Sequence, residues 1–140
     1  MLKSKSKKLV ALCCVVALMV TCAVPAFAAA VSWSTTFPAF KSWTDVKSGT
    51  KSTTYAANNT VAVSIDNYDS YASEGEFFAR AYYNGGWHDV SQSKAIYASQ
   101  AQDLILNDPS ATNGITLMLV GRNQNISAYN VSARGTVDFH

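Results

Sequence analysis

Glu76-Phe77-Phe78-Ala79-Arg80-Ala81-Tyr82-Tyr83-Asn84-Gly85-Gly86-Trp87-His88-Asp89-Val90-Ser91 is the stretch whose reading decides the fold. Phe77, Ala79, Ala81 and Tyr83 fall on one parity and Phe78, Arg80 and Tyr82 on the other, the two-residue period of an extended strand. Asn84-Gly85-Gly86 supplies residues that tolerate positive φ, and Trp87–Ser91 resumes as a partner strand, so the segment predicts a β-hairpin. The same alternation recurs upstream, where Val61, Val63 and Ile65 interleave with Ala62, Ser64 and Asp66. Downstream, Ile115, Leu117 and Leu119 interleave with Thr116, Met118 and Val120; both faces are apolar, which marks a central strand. Tyr129, Val131, Ala133, Val137 and Phe139 share a parity near the C-terminus, where Gly135 marks a bulge or a close backbone approach. Asn123–Ser127, between these last two strands, reads as a short polar link joining antiparallel neighbours.

Two regions are less regular. In Lys94–Leu106, Tyr97, Ala101, Leu104 and Ile105 fit helical spacing behind a Ser93 cap, yet the stretch also divides into two short strands, Lys94–Ala98 and Gln102–Leu106. Strands are the preferred reading, with one helix near 93–106 as the alternative. Ser32–Asn59 reads as an N-terminal edge strand followed by a polar loop around Lys47–Thr54. About eight short strands with frequent turn signals predict an all-β fold, an antiparallel two-sheet β-sandwich, with a small β-barrel as the alternative closure.

The N-terminal 28 residues carry a different message. Lys3, Lys5, Lys7 and Lys8 precede an apolar run, Leu9–Val24, and Pro25-Ala26-Phe27-Ala28 then supplies a breaker and small residues. That is the pattern of a secretory signal peptide cut after Ala28, which makes 29–140 a single secreted β domain. The apolar run is short for a bilayer span, and no other stretch approaches that length. Removing 28 of 140 residues leaves 112, in which seven Lys and Arg face nine Asp and Glu, a formal charge of −2. A basic, nucleic-acid-binding protein is thereby disfavoured. Cys13, Cys14 and Cys22 all precede the cut, so the secreted domain would be cysteine-free and held by burial alone, with 15 aromatic residues to supply it.

Catalytic constellations are sparse. His88 and His140 are the two histidines; Asp89, next to His88, points to the opposite face of a strand and cannot orient its imidazole. Phosphate-loop and dinucleotide signatures are missing, and no cofactor is expected. Asp66-Asn67-Tyr68-Asp69 followed by Glu74 is the densest oxygen-ligand cluster, a weak calcium candidate through Asp66, Asp69 and Glu74. Glu74 and Glu76 share strand parity and with His88 are the only basis for a small glycoside hydrolase. Asn58, Asn125 and Asn130 head Asn-x-Ser/Thr triplets, read here as turn residues. The stronger asset is aromatic: Phe78, Arg80, Tyr82, Trp87 and His88 are the candidate ligand-binding surface, rings for stacking and a guanidinium for a hydroxyl or carboxylate.

Leu117-Met118-Leu119-Val120-Gly121-Arg122-Asn123-Gln124-Asn125 and Tyr129-Asn130-Val131-Ser132-Ala133-Arg134-Gly135-Thr136-Val137-Asp138-Phe139 resemble the closing strands of small exported proteins of Gram-positive bacteria, groupings of unknown function of which some sit near bacteriocin-type export genes. The resemblance covers about a fifth of the chain, and Ala133-Arg134 stands where those proteins usually carry glycine. It carries no catalytic residue across and implies a non-enzymatic secreted protein. Together these readings lead to a secreted, non-catalytic binding domain for cell-envelope carbohydrate or an extracellular protein partner. A bacteriocin-like or self-assembling effector and a small hydrolase are the alternatives.

Overall fold

Alternation builds the architecture: each strand turns its apolar parity inward, and two such sheets close on each other. The structure, a computed structural model, describes residues 30–52, 59–69, 72–125 and 127–139. The expected signal peptide 1–28, Asn58 and His140 lie outside the described residues. The strands are β1 (Val31–Phe37), β2 (Thr44–Thr50), β3 (Thr60–Tyr68), β4 (Glu74–Tyr83), β5 (Gly86–Asp89), β6 (Lys94–Tyr97), β7 (Gln100–Ile105), β8 (Thr116–Asn123) and β9 (Val131–Asp138). They form a four-stranded sheet in the order β1-β9-β3-β7 and a five-stranded sheet in the order β2-β8-β4-β5, with β6 also pairing β4; all pairings are antiparallel. This is a two-sheet sandwich, not a closed barrel.

Between the sheets lies one core. Phe37, Val63, Ile65, Val131 and Val137 of the four-stranded sheet meet Phe77, Ala79, Ala81, Leu117 and Leu119 of the five-stranded one, all buried. Phe77 is the hub, its ring centroid 5.8 Å from Trp33 and 5.9 Å from Phe37. Small residues make room for it. A Cβ on Gly121, directly opposite Phe77 on β8, would come within 2.7 Å of that ring. Gly135 is the close approach its position suggested: a Cβ there would collide with the Ser64 carbonyl oxygen, beside the register shift between Ile65 and Asn67.

The hairpin forms as read, closed by Asn84 (φ 51°) and Gly85 (φ 80°), the pair of positive φ values that matches the twist of flanking strands. β8 is central, between β2 and β4. Residues 93–106 are two short strands, the preferred reading, and not the alternative helix: Lys94–Tyr97 and Gln100–Ile105 turn a corner from one sheet to the other, with Ser99 at φ 62° between them. The apparent helical spacing arises because Leu104 and Tyr97 belong to different sheets. Two readings are corrected. Lys47–Thr50 is strand, since Ser48, Gly49 and Thr50 pair with Met118, Leu117 and Thr116; a register shift between Asp45 and Lys47 hides the period. Finally, β8 and β9 are not neighbours but lie in opposite sheets, so the link after Asn123 crosses the sandwich. Parity specifies which face of a strand is buried and says nothing about which sheet it joins.

Candidate functional site: an aromatic outer face

The two outer faces differ in chemistry. On the four-stranded sheet, Ser32, Ser34 and Thr36 of β1 lie beside Ser132, Arg134 and Thr136 of β9, with Ser64 of β3 next in line. The Ser64 and Thr136 hydroxyls are 2.7 Å apart. The outer face of the five-stranded sheet is aromatic. Directly opposed residues share a face, so the pairs Glu76–Arg122, Phe78–Val120, Arg80–Met118 and Tyr82–Thr116 place β4 and β8 side chains together there. β5 adds Asp89 opposite Arg80 and Trp87 opposite Tyr82.

Two ring groups occupy this face. At one end Tyr82 (47% exposed) and Trp87 (41% exposed) meet edge to face, centroids 5.3 Å apart. At the other, Trp43, just before β2, covers Phe78 edge-on at 4.8 Å, leaving Phe78 6% exposed and Trp43 40% exposed. The Arg122 guanidinium stacks on Trp43 at 4.2 Å and that of Arg80 lies 5.1 Å from the Phe78 ring, so cations link the rings along the sheet.

Both cations are neutralised in place. Arg80 Nε donates to Asp89 Oδ1 at 2.7 Å. Arg122 donates through Nε (2.8 Å) and Nη2 (2.5 Å) to Glu76 Oε2, and Ser93 Oγ donates to Glu76 Oε1. Burial pushes the Glu76 carboxyl up, but the Ser93 hydroxyl and the Arg122 guanidinium outweigh it and hold the group below the ordinary carboxylate range. A general acid needs the opposite shift. Glu74 shares the outer face with Glu76, as parity required, and sits opposite Tyr97.

Of the five candidate residues, the structure brings four together. Phe78, Arg80, Tyr82 and Trp87 share the outer face, with Phe78 as the floor rather than a free ring. His88 is corrected: it pairs with the core-facing Ala81 and therefore points to the other side. There it stacks on Tyr83 at 4.2 Å and 20°. The Tyr83 hydroxyl donates to Asp108 Oδ2 at 2.7 Å, which raises the phenol's pKa; the Ser110 N–H and that hydroxyl together lower the Asp108 carboxyl. Asp89 faces away from His88, as expected from a strand.

The calcium candidates do not converge. Asp66 is exposed at the β3 register shift, Asp69 Oδ2 accepts the Ser132 N–H, and Glu74 lies on the outer face of the other sheet. Among the described residues, no group of three His, Cys, Asp or Glu is placed to hold a metal. Sequence reasoning missed Trp43 and Arg122. Parity along β8 already put Arg122 with Met118 and Val120, but Trp43 precedes a strand whose period is broken and gave no such signal.

Beside Asp89 the face drops into a shallow groove of about 470 Å³ lined by Ser91, Gln92, Asn107, Asp108 and Pro109. Asp89 belongs to both: it lines this groove and pairs with Arg80 on the aromatic face.

No known protein family and no curated protein matches the chain. Among solved structures it is similar to "Crystal structure of PirA", with 15% identity, a TM-score of 0.45, and coverage of 78% of this chain and 93% of that one.

Proposed function

We propose that this chain is a secreted, non-catalytic binding domain that takes a neutral carbohydrate of the cell envelope on the outer face of its five-stranded sheet. The observation that carries this reading is the Tyr82–Trp87 ring pair, 5.3 Å between centroids and exposed, on the face it shares with the Arg80–Asp89 pair. A sugar ring offers C–H-rich faces that stack on aromatics and hydroxyls at its rim that need hydrogen-bonding partners. The charge pattern selects against an anionic ligand, because Arg80 and Arg122 are already paired with Asp89 and Glu76. A neutral ligand also predicts binding that salt barely weakens.

The test is titration of the purified chain with neutral cell-envelope polysaccharide, followed by tryptophan fluorescence and calorimetry. Trp87→Ala and Tyr82→Ala should each weaken binding by about 10-fold or more, as loss of a central stacking contact does. Their unfolding transitions should stay near that of the parent chain. Absence of binding to every neutral envelope glycan, or full binding by the double variant, would overturn the proposal.

A further inference from the structure

The sandwich has exposed edges at β1, β2, β5 with β6, and β7, and they are not alike. An edge strand presents unpaired N–H and C=O groups, and natural sheets blunt such edges with charge, bulges or shortness. β2 carries Asp45 and Lys47 with a register shift between them. β5 and β6 are four residues each and hold His88, Asp89 and Lys94. β7 contains Asp103, whose carbonyl oxygen accepts a hydrogen bond from Lys94 Nζ at 2.8 Å. β1 has none of these devices. Val31-Ser32-Trp33-Ser34-Thr35-Thr36-Phe37 is uncharged, contains no proline, and pairs with β9 over seven residues without a register shift. Among the described residues no strand lies on its outer side.

We infer that β1 is a docking edge for a second copy of this chain, pairing antiparallel with its own counterpart. An edge free of charge and of register shifts is the one open to strand addition, because charged side chains and bulges are what blunt an edge against it. β1 is the edge that meets this condition. Register centred on Ser34 sets Ser34 against Ser34, Ser32 against Thr36 and Trp33 against Thr35. The outer face of the four-stranded sheet then continues across the junction, with Ser32, Ser34 and Thr36 of both copies at the seam and each copy's Arg134 one strand further out. The ends of the strand fit the same arrangement. Val31 (42% exposed), at the end of the strand, would lie opposite Phe37 of the second copy. A seven-residue strand is about 23 Å long, too short for the area of an obligate dimer, so the association is reversible and concentration-dependent.

Sedimentation velocity of the purified chain over a wide concentration range tests this. The expected result is a monomer that converts to a dimer as concentration rises, with β1 amides gaining protection from hydrogen exchange in step. Ser34→Lys, an exposed position on the outer face, should weaken the dimer by about 100-fold through facing like charges, while Ser48→Lys on the β2 edge leaves it unchanged. The double variant Ser32→Lys/Thr36→Lys, which sets lysine against lysine at both ends of the same register, gives the same answer independently should Ser34→Lys fold poorly. A chain that stays monomeric up to its solubility limit overturns the inference. So does a dimer that survives Ser34→Lys and Ser32→Lys/Thr36→Lys in chains whose fold is intact, or β1 protection that does not change with concentration. The glycan assay reads the opposite sheet and can succeed or fail separately.

Discussion

Replacing Gly121 by alanine measures how tightly the core around Phe77 is packed. The added methyl would sit 2.7 Å from Phe77 Cδ1 and Cε1 and 3.1 Å from Phe37 Cε1. Carbon atoms in ordinary contact are about 3.5–4.0 Å apart, so the overlap with Phe77 approaches an ångström. The Phe77 ring is fully buried and braced by Trp33 and Phe37, and has nowhere to swing. Overpacking of this kind costs about 1–3 kcal/mol. The smaller unfolded-state entropy of alanine returns about 0.4–1 kcal/mol of that. A net loss of about 1–2 kcal/mol follows, a fall in Tm on the order of 4–8 °C. Phe77→Val has neither a δ nor an ε carbon and so removes both atoms in collision, and Gly121→Ala in that background should cost little further. The coupling between the two sites should reach at least about 1 kcal/mol. Urea unfolding of the parent, both single variants and the double variant closes the cycle. Parent-like unfolding of Gly121→Ala, or strict additivity in the double variant, refutes the packing argument.

Further predictions follow from the same contacts. Gly135→Ala should destabilise more than Gly121→Ala, because its obstacle is the Ser64 backbone carbonyl, and trimming Trp33 should not rescue it. Chemical denaturation of the three variants ranks them. The Glu76 carboxyl is held below its ordinary value of 4.5, so its contribution to stability is complete above that pH and lost as pH falls through the folded-state value; Glu76→Gln should flatten acid unfolding in that window. The Tyr83 phenol is raised from 10.0 mainly by its hydrogen bond to Asp108, so Asp108→Asn should lower its midpoint in a phenolate absorbance titration. Trp43→Ala should expose Phe78 and free Arg122 from its ring contact, making binding of neutral glycan weaker and more salt-sensitive than in the parent chain.

Much of this arrangement is legible in the sequence because the period of a strand is short and local. Alternation along 77–83, 61–65 and 115–120 places Phe77, Val63 and Leu119 in the core without reference to anything distant. Asn84-Gly85 announces its turn through the φ values it must adopt. What remained hidden depends on partners far along the chain. The sheet to which β9 belongs follows from Trp33 packing over Gly135 and from the Ser64 carbonyl beside it, neither of which is near in sequence. The β2 register shift conceals a strand and with it the role of Trp43. Adjacency in sequence groups His88 with Trp87, whereas parity across the hairpin pairs His88 with the core-facing Ala81 and separates them.

Antiparallel pairing of β1 with its twin has a twofold axis normal to the sheets. Such an operation leaves both sandwiches the same way up, so their Tyr82–Trp87 platforms look toward one side of the assembly. Two weak sites displayed in common on a rigid span would grip a repeating polymer by avidity, the second engagement governed by local rather than bulk ligand concentration. On the proposed glycan-binding role, a modest edge contact would be enough to turn two separate platforms into a surface-retaining clamp.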